Sequence, residues 1–210
     1  RSRGLGDVYK RQYLRRSKAI KKEWEYNIDL AKILFPDIKY KKPKIYMSED
    51  ELEKARTILK RFKKPIVGLY PGGGKEHRWS PERFKELASK LESLDLTPIV
   101  LLGPNEMDLI DYFSKWYIGR ILNLRELIAV ISELDLFITN NTGPMHIRGA
   151  FEKPMIQLFD PRKAVNPTRW GYDYPGAYII KPAVDYCSSK CNKCKYKNCM
   201  NLIEVDTVFE

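Results

Sequence analysis

The run Phe137-Ile-Thr-Asn-Asn-Thr-Gly-Pro-Met-His-Ile-Arg-Gly-Ala150 passes from an apolar strand through a polar hinge directly into a helix. Free backbone amides in the first turn, the positive end of the helix dipole, the Thr142 hydroxyl and a Gly143 that lets a ligand approach together make a seat for phosphate. Pro144 suits the first helical position, because its missing N–H is one the helix leaves unpaired there. A lone Thr-Gly-Pro would more simply be a turn that caps itself. His146, one turn into the helix, could donate to a phosphate oxygen or be a buried hydrogen-bonding residue. A second segment, Gly68-Leu-Tyr-Pro-Gly-Gly-Gly-Lys-Glu-His-Arg-Trp-Ser-Pro-Glu-Arg-Phe84, sets three glycines after a strand. Gly72, Gly73 and Gly74 let backbone amides close on a phosphate or sugar, and Lys75, His77 and Arg78 supply cations for a departing diphosphate. The Gly-Lys-Ser/Thr ending of a Walker loop is missing, and Trp79 reads as packing.

The elements that must carry these loops alternate. Ile66 to Tyr70 reads as strand, Pro81 to Leu94 as helix, Ile99 to Leu102 as strand and Glu106 to Lys115 as helix. Arg120 to Asn123 reads as a weak strand, Leu124 to Leu134 as helix, Leu136 to Thr139 as strand, Pro144 to Phe151 as helix and Met155 to Phe159 as strand. Short apolar strands alternating with helices predict an α/β fold, a Rossmann-like doubly wound parallel sheet covered on both faces. Ligands of such sheets gather at the carboxyl ends of the strands. Both loops lie there, so they are expected to converge on one ligand. Ahead of this series, Glu23 to Phe35 reads as an amphipathic helix with Trp24, Ile28 and Ala31 on one stripe, ended by Pro36. Ser48 and Glu51 form a capping box for a helix carrying Leu52, Ala55, Leu59 and Phe62.

The string NNTGPMHIRGAFEKPMIQLFDP resembles a signature of glycosyltransferase family 9, the lipopolysaccharide heptosyltransferases, and the segment from Gly68 to Phe84 is similar to that family's PGA…KRWP.ERF run. The resemblance extends from about Glu23 to the C-terminus and is strong from Val67. It implies the C-terminal, donor-binding half of a GT-B fold. It also implies inverting transfer of a sugar from a nucleotide-sugar donor, ADP-heptose, to a lipopolysaccharide core or similar lipid-linked saccharide. The general base that inversion needs belongs, by resemblance, to the N-terminal half. No cofactor is implied. The donor set is Gly72, Gly73, Gly74, Lys75, His77, Arg78, Glu106, Asn141, Thr142, Gly143 and His146. Glu106 is similar by position to a carboxylate that holds the nucleotide ribose, with an exposed first-turn acid as the alternative. Two residues depart from the family pattern. His77 stands where a lysine is usual, leaving Arg78 or Lys75 to take its place. Asn141 stands where an aspartate is usual, keeping a helix-capping acceptor without the charge.

Residues 1–12 are expected to be non-native, since Ser2 to Gln12 back-translate without a gap into a transposase sequencing adapter. Residues 13–45 are expected to be a remnant of an N-terminal domain with its linker. Residues 46–210 are expected to be the nucleotide-sugar-binding domain with a Cys-rich tail. The formal charge is +11; the first twelve residues carry a net +3, which leaves +8. That balance favours polyanionic partners, or is a solvated lysine-rich surface. All four cysteines, Cys187, Cys191, Cys194 and Cys199, fall in the tail. Their spacing suits one Zn²⁺ or an iron–sulfur cluster, but family members often carry such a tail ending in a Cys-Met pair, and no metal is assigned. A nucleic-acid-binding module with a four-cysteine metal site and a nucleotide-sugar epimerase-like half domain are the alternatives. The aromatics fall at core spacings rather than interleaved with basic residues, so no nucleic-acid partner is expected. The expected form is a cytoplasmic monomer, with peripheral contact to the anionic inner membrane.

Overall fold

A computed structural model of the chain describes residues 16–74, 77–120, 122–184, 187, 191–196 and 198–209. The adapter-like segment, Lys75 and part of the expected Arg120 to Asn123 strand lie outside these residues.

Five strands form one sheet: β1 (Ile66–Tyr70), β2 (Thr97–Val100), β3 (Leu136–Asn140), β4 (Met155–Leu158) and β5 (Ala177–Ile180). All neighbouring pairs are parallel and the spatial order is β2-β1-β3-β4-β5. The chain therefore starts in the middle of the sheet, moves to β2 on one side, and crosses back to β3 on the other side of β1. At such a reversal the helices that follow the two central strands pack on opposite faces of the sheet, and the crevice for ligands lies at the strands' carboxyl ends. That crevice lies between β1 and β3.

From β1 to β4 both faces of the sheet are largely buried, which is why those strands read as apolar runs. On one face Val67, Leu69, Val100 and Ile138 pack beneath the helix α3 (Pro81–Ser93), through Phe84, Leu87 and Leu91. On the other, Ile66, Ile99, Phe137 and Met155 pack beneath three helices: α2 (Glu49–Leu59), α4 (Leu124–Glu133) and α5 (Gly143–Ala150). The capping box at Ser48 and Glu51 is present, with each residue's side chain holding the other's amide.

The structure differs from the sequence reading in five places. The first helix, α1 (Glu23–Ala31), stops short of Phe35, and its one buried residue is Tyr26 rather than the Trp24, Ile28, Ala31 stripe. Where a helix was expected from Glu106 to Lys115, Pro104–Leu109 forms a 3-10 turn in which Glu106 has non-helical φ and ψ. Its side chain accepts the Gly103 amide at 3.0 Å, the contact by which an N3 carboxylate caps the start of a helical turn. Of the weak strand expected at Arg120 to Asn123, the described residues Arg120, Leu122 and Asn123 lie outside any strand; a parallel bridge joins Tyr117 to Val100, and Asn123 caps α4 by accepting the Glu126 amide. Strand β5 was not foreseen; it is a four-residue edge with Tyr178 exposed. The end of the chain, part of the Cys-rich tail in the sequence reading, belongs to the core. The 3-10 turn Cys199–Leu202 and the helix α7 (Val205–Phe209), which follows the short α6 (Pro167–Trp170), place Met200, Ile203, Val205 and Val208 against α3.

One buried charge ties the second face together. The Arg148 side chain of α5 is fully buried and donates to four carbonyls, those of Ile131 (2.6 Å), Leu134 (3.0 Å), Asp135 (3.3 Å) and Pro154 (3.1 Å). Two of these end α4, where the negative end of the helix dipole partly compensates the guanidinium. Burial brings Arg148 down to about 10, so it stays charged at neutral pH. Arg148→Met is expected to leave these carbonyls without donors and to lower stability by about 3 kcal/mol. A shift of the urea unfolding midpoint without a change in slope checks this.

Candidate functional site

The crevice between β1 and β3 receives both loops singled out above. The loop 71–79 leaves β1 at Tyr70, and the hinge 141–142 leaves β3 at Asn140. They touch: Gly73 has φ +130°, and a Cβ built there would lie 3.2 Å from Thr142 Cγ2 and 3.7 Å from Arg78 Cβ. Gly73 thus combines a backbone conformation that L side chains rarely adopt with a place where an added side chain would crowd Thr142. The next residue, Gly74, is exposed, and its carbonyl accepts the His77 amide at 2.9 Å, closing the turn.

Asn140, the last residue of β3, is nearly fully buried and holds the loop at both ends. Its Oδ1 accepts the Trp79 amide at 2.8 Å, and its Nδ2 donates to the carbonyls of Gly72 (3.1 Å) and Pro71 (3.4 Å). The sequence reading placed Asn141 in the donor set, as an asparagine where the family pattern has aspartate, and did not single out Asn140. Asn141 instead continues the ladder, its amide donating to Leu158 O at 3.0 Å. Nor does it cap the helix. Thr142 occupies the cap position of α5 in an extended conformation, and no side chain closes the helix start. The Thr142 hydroxyl turns back to donate to Asn140 O at 3.2 Å. Gly143 is exposed, with nothing within 4 Å of a Cβ built on it. The helix start is therefore uncapped, and open at Gly143.

Glu106 is buried, not an exposed helix acid. Its Oε2 accepts from Gly103 N–H and from the Tyr70 hydroxyl at 3.2 Å, while Oε1 lies 2.8 Å from the point a Gly72 Cβ would occupy. The carboxylate thus stands between the loops that follow β1 and β2. Burial, together with this carboxylate, pushes the Tyr70 hydroxyl well above its ordinary range. Arg78 is half-buried beside Gly73, and the His77 Nδ1 lies 3.8 Å from Cys191 Sγ. Trp79 is packing: its indole is fully buried, edge-on to Phe84, and donates to Ile203 O at 2.9 Å, so the tail anchors the loop's far end.

His146 faces the flank of α5. Its Nδ1 is 3.3 Å from the Tyr172 hydroxyl and its ring stands 5.8 Å from those of Trp170 and Tyr172, lining a cleft of about 1270 Å³ shared with Lys22, Trp24 and Tyr40. In the tail, burial raises the Cys199 thiol, and Cys187, Asp160, Cys191 and Cys194 act on it in the same direction. Among the described residues no three His, Cys, Asp or Glu side chains form a group suited to a metal ion.

These features define a doubly wound α/β domain whose glycine loop and uncapped helix start meet at the switch point of the sheet. Comparison with known proteins agrees with that class. The profile of glycosyltransferase family 9 (heptosyltransferase) matches residues 7–201, and the chain belongs to this family. The match begins within the adapter-like segment. The lipooligosaccharide heptosyltransferase 2 of Campylobacter jejuni is 26% identical over 171 residues, covering 76% of this chain and 54% of the relative. Among solved structures, the family 9 glycosyltransferase of Veillonella parvula superposes with a TM-score of 0.74 at 21% identity, over 90% of this chain and 58% of that one. E. coli heptosyltransferase WaaC with ADP gives 0.59 at 15% identity, over 90% and 56%. The fold is that of the GT-B heptosyltransferases, and the chain spans about half the length of the curated relatives it matches.

Two predictions test the geometry. Gly73→Ala forces a Cβ against Thr142 at a left-handed φ and is expected to cost about 1–2 kcal/mol, whereas Gly74→Ala should stay within about 0.5 kcal/mol. Parallel denaturation curves compare them. Burial also holds the His146 imidazole below its ordinary 6.5. The unfolded chain takes up that proton near 6.5, and the folded chain takes it up only at lower pH. This contribution to stability is intact above about 6.5, is lost as pH falls toward the folded value, and levels off below it. His146→Gln should therefore shrink the difference between unfolding midpoints measured at pH 7 and pH 5.

Proposed function

We propose that residues 46–210 bind the nucleotide-sugar donor of a glycosyl transfer, with the diphosphate held in the crevice between β1 and β3. The contact between Gly73 and Thr142 carries this reading, because it brings a glycine loop and an uncapped helix start to one point. Amides of both elements and the dipole of α5 meet the charge that develops on a diphosphate as the sugar–phosphate bond breaks. Arg78 adds a cation beside Gly73; Lys75 and His77 complete the basic loop of the sequence reading. Glu106 supplies acceptors for the ribose hydroxyls from the loop after β2.

The donor in this reading is ADP-heptose, supported by family membership and by the ADP named in the E. coli WaaC structure. The acceptor is a lipopolysaccharide core or similar lipid-linked saccharide, and transfer inverts the anomeric carbon. By resemblance the acceptor-side base belongs to the N-terminal half of the architecture, so donor binding rather than turnover is the property assigned to these residues. The cytoplasmic face of the inner membrane is the place proposed for that chemistry, with the basic surface toward anionic lipid. No helix among the described residues is long and apolar enough to cross a membrane.

Gly143→Ala separates binding from folding, since the added methyl meets nothing within 4 Å beyond its chain neighbours and its own helix backbone, but stands where a phosphate would approach. Calorimetric titration should show ADP binding to the parent chain more tightly than adenosine or a short RNA. The variant should unfold at the same denaturant concentration yet bind ADP about tenfold more weakly. Equal affinity of the parent chain for ADP and adenosine would remove the diphosphate site.

A further inference from the structure

Asn140 touches both halves of the crevice. Its side chain grips the glycine loop at Pro71, Gly72 and Trp79, three contacts that span the whole bend. Its own carbonyl accepts the hydroxyls of Thr139 (2.9 Å) and Thr142 (3.2 Å), so the same residue fixes the last turn before α5. An amide side chain is the group this position requires. It accepts at one end and donates twice at the other, as neither aspartate nor a hydroxyl of that length can. Asn140 is buried, so these bonds form in a medium where leaving a partner unpaired is costly.

We infer that Asn140 is a positioning residue that sets the register between the glycine loop and the start of α5, so that amides from both address one diphosphate. It contacts no ligand itself in this arrangement; it acts through the Gly73 to Thr142 contact. This rests on the donor-binding reading above. Pre-aligned donors need no reorganisation when the anion arrives, and a loop freed at both ends would lose that alignment. The effect should fall on the diphosphate and leave the nucleoside untouched.

The test uses the full chain, Asn140→Ala, and two probes, ADP and adenosine. The variant should lose about tenfold or more in ADP affinity while adenosine affinity stays within about twofold, so that the gain contributed by the diphosphate disappears. A variant that merely loosens the domain would weaken both probes together, and that result overturns the inference, as does unchanged ADP affinity. If the parent chain itself does not prefer ADP to adenosine, the donor-site reading fails first and the inference with it. A second measurement needs no variant: in the parent chain the Trp79 amide should exchange its hydrogen far more slowly than the Gly73 and Gly74 amides. Equally fast exchange of all three would show that the side-chain grip does not hold in solution, and would overturn the assignment.

Discussion

The crevice exists because β1 and β3 lie side by side. Residues about 70 apart in sequence, Val67 to Tyr70 and Leu136 to Thr139, pair in parallel register, and every feature of the candidate site follows from that pairing. Had β2 or another strand intervened, the glycine loop and the start of α5 would be separated by a further strand spacing of about 5 Å. The contact at Gly73 would then be lost. Two apolar layers hold the strands in this order, one beneath α3 and the tail, the other beneath α2, α4 and α5. The pairing itself is backbone hydrogen bonding, but the choice of neighbours is made by which helices can cover which face.

Burial and polarity are balanced closely around that pair of strands. Arg148 lies in the interior with its charge spread over four carbonyls, and it pins α5 to the end of α4. Glu106 and Tyr70 share a hydrogen bond at the rim, close under Gly72. Further along the rim, Asp160 beyond β4 is buried and holds Arg162 through two side-chain contacts and its amide. Each of these buried polar groups is satisfied by backbone or by one partner, which fixes the rim while leaving the helix start uncapped. An uncapped helix start beside a satisfied scaffold is an arrangement that favours an external anion.

The alternation of short apolar runs with helical segments was legible, and so were the two loops, because period and glycine content are local properties. Glu106 was legible as a residue but not as an environment. Sequence placed it on an exposed helix or on a ribose, and only the fold shows its carboxylate turned inward to Gly103 and Tyr70. Asn140 was missed for a related reason. Its role depends on a loop some 60 residues away, and no pattern within β3 announces which of two asparagines meets it. The tail was underestimated as well, since Met200, Ile203, Val205 and Val208 are too few to read as core until α3 is placed opposite them.

By itself, then, the chain's order of residues determined its class of fold, its family likeness and the two bends that follow β1 and β3. These depend on propensity, periodicity and glycine freedom, which act over a few residues. Tertiary structure alone decided the strand order, the meeting of Gly73 with Thr142, and the partners of Asn140, Glu106 and Arg148. These are contacts between distant segments, selected by how helices and sheet can jointly bury their apolar faces, and that selection is a property of the whole packed domain.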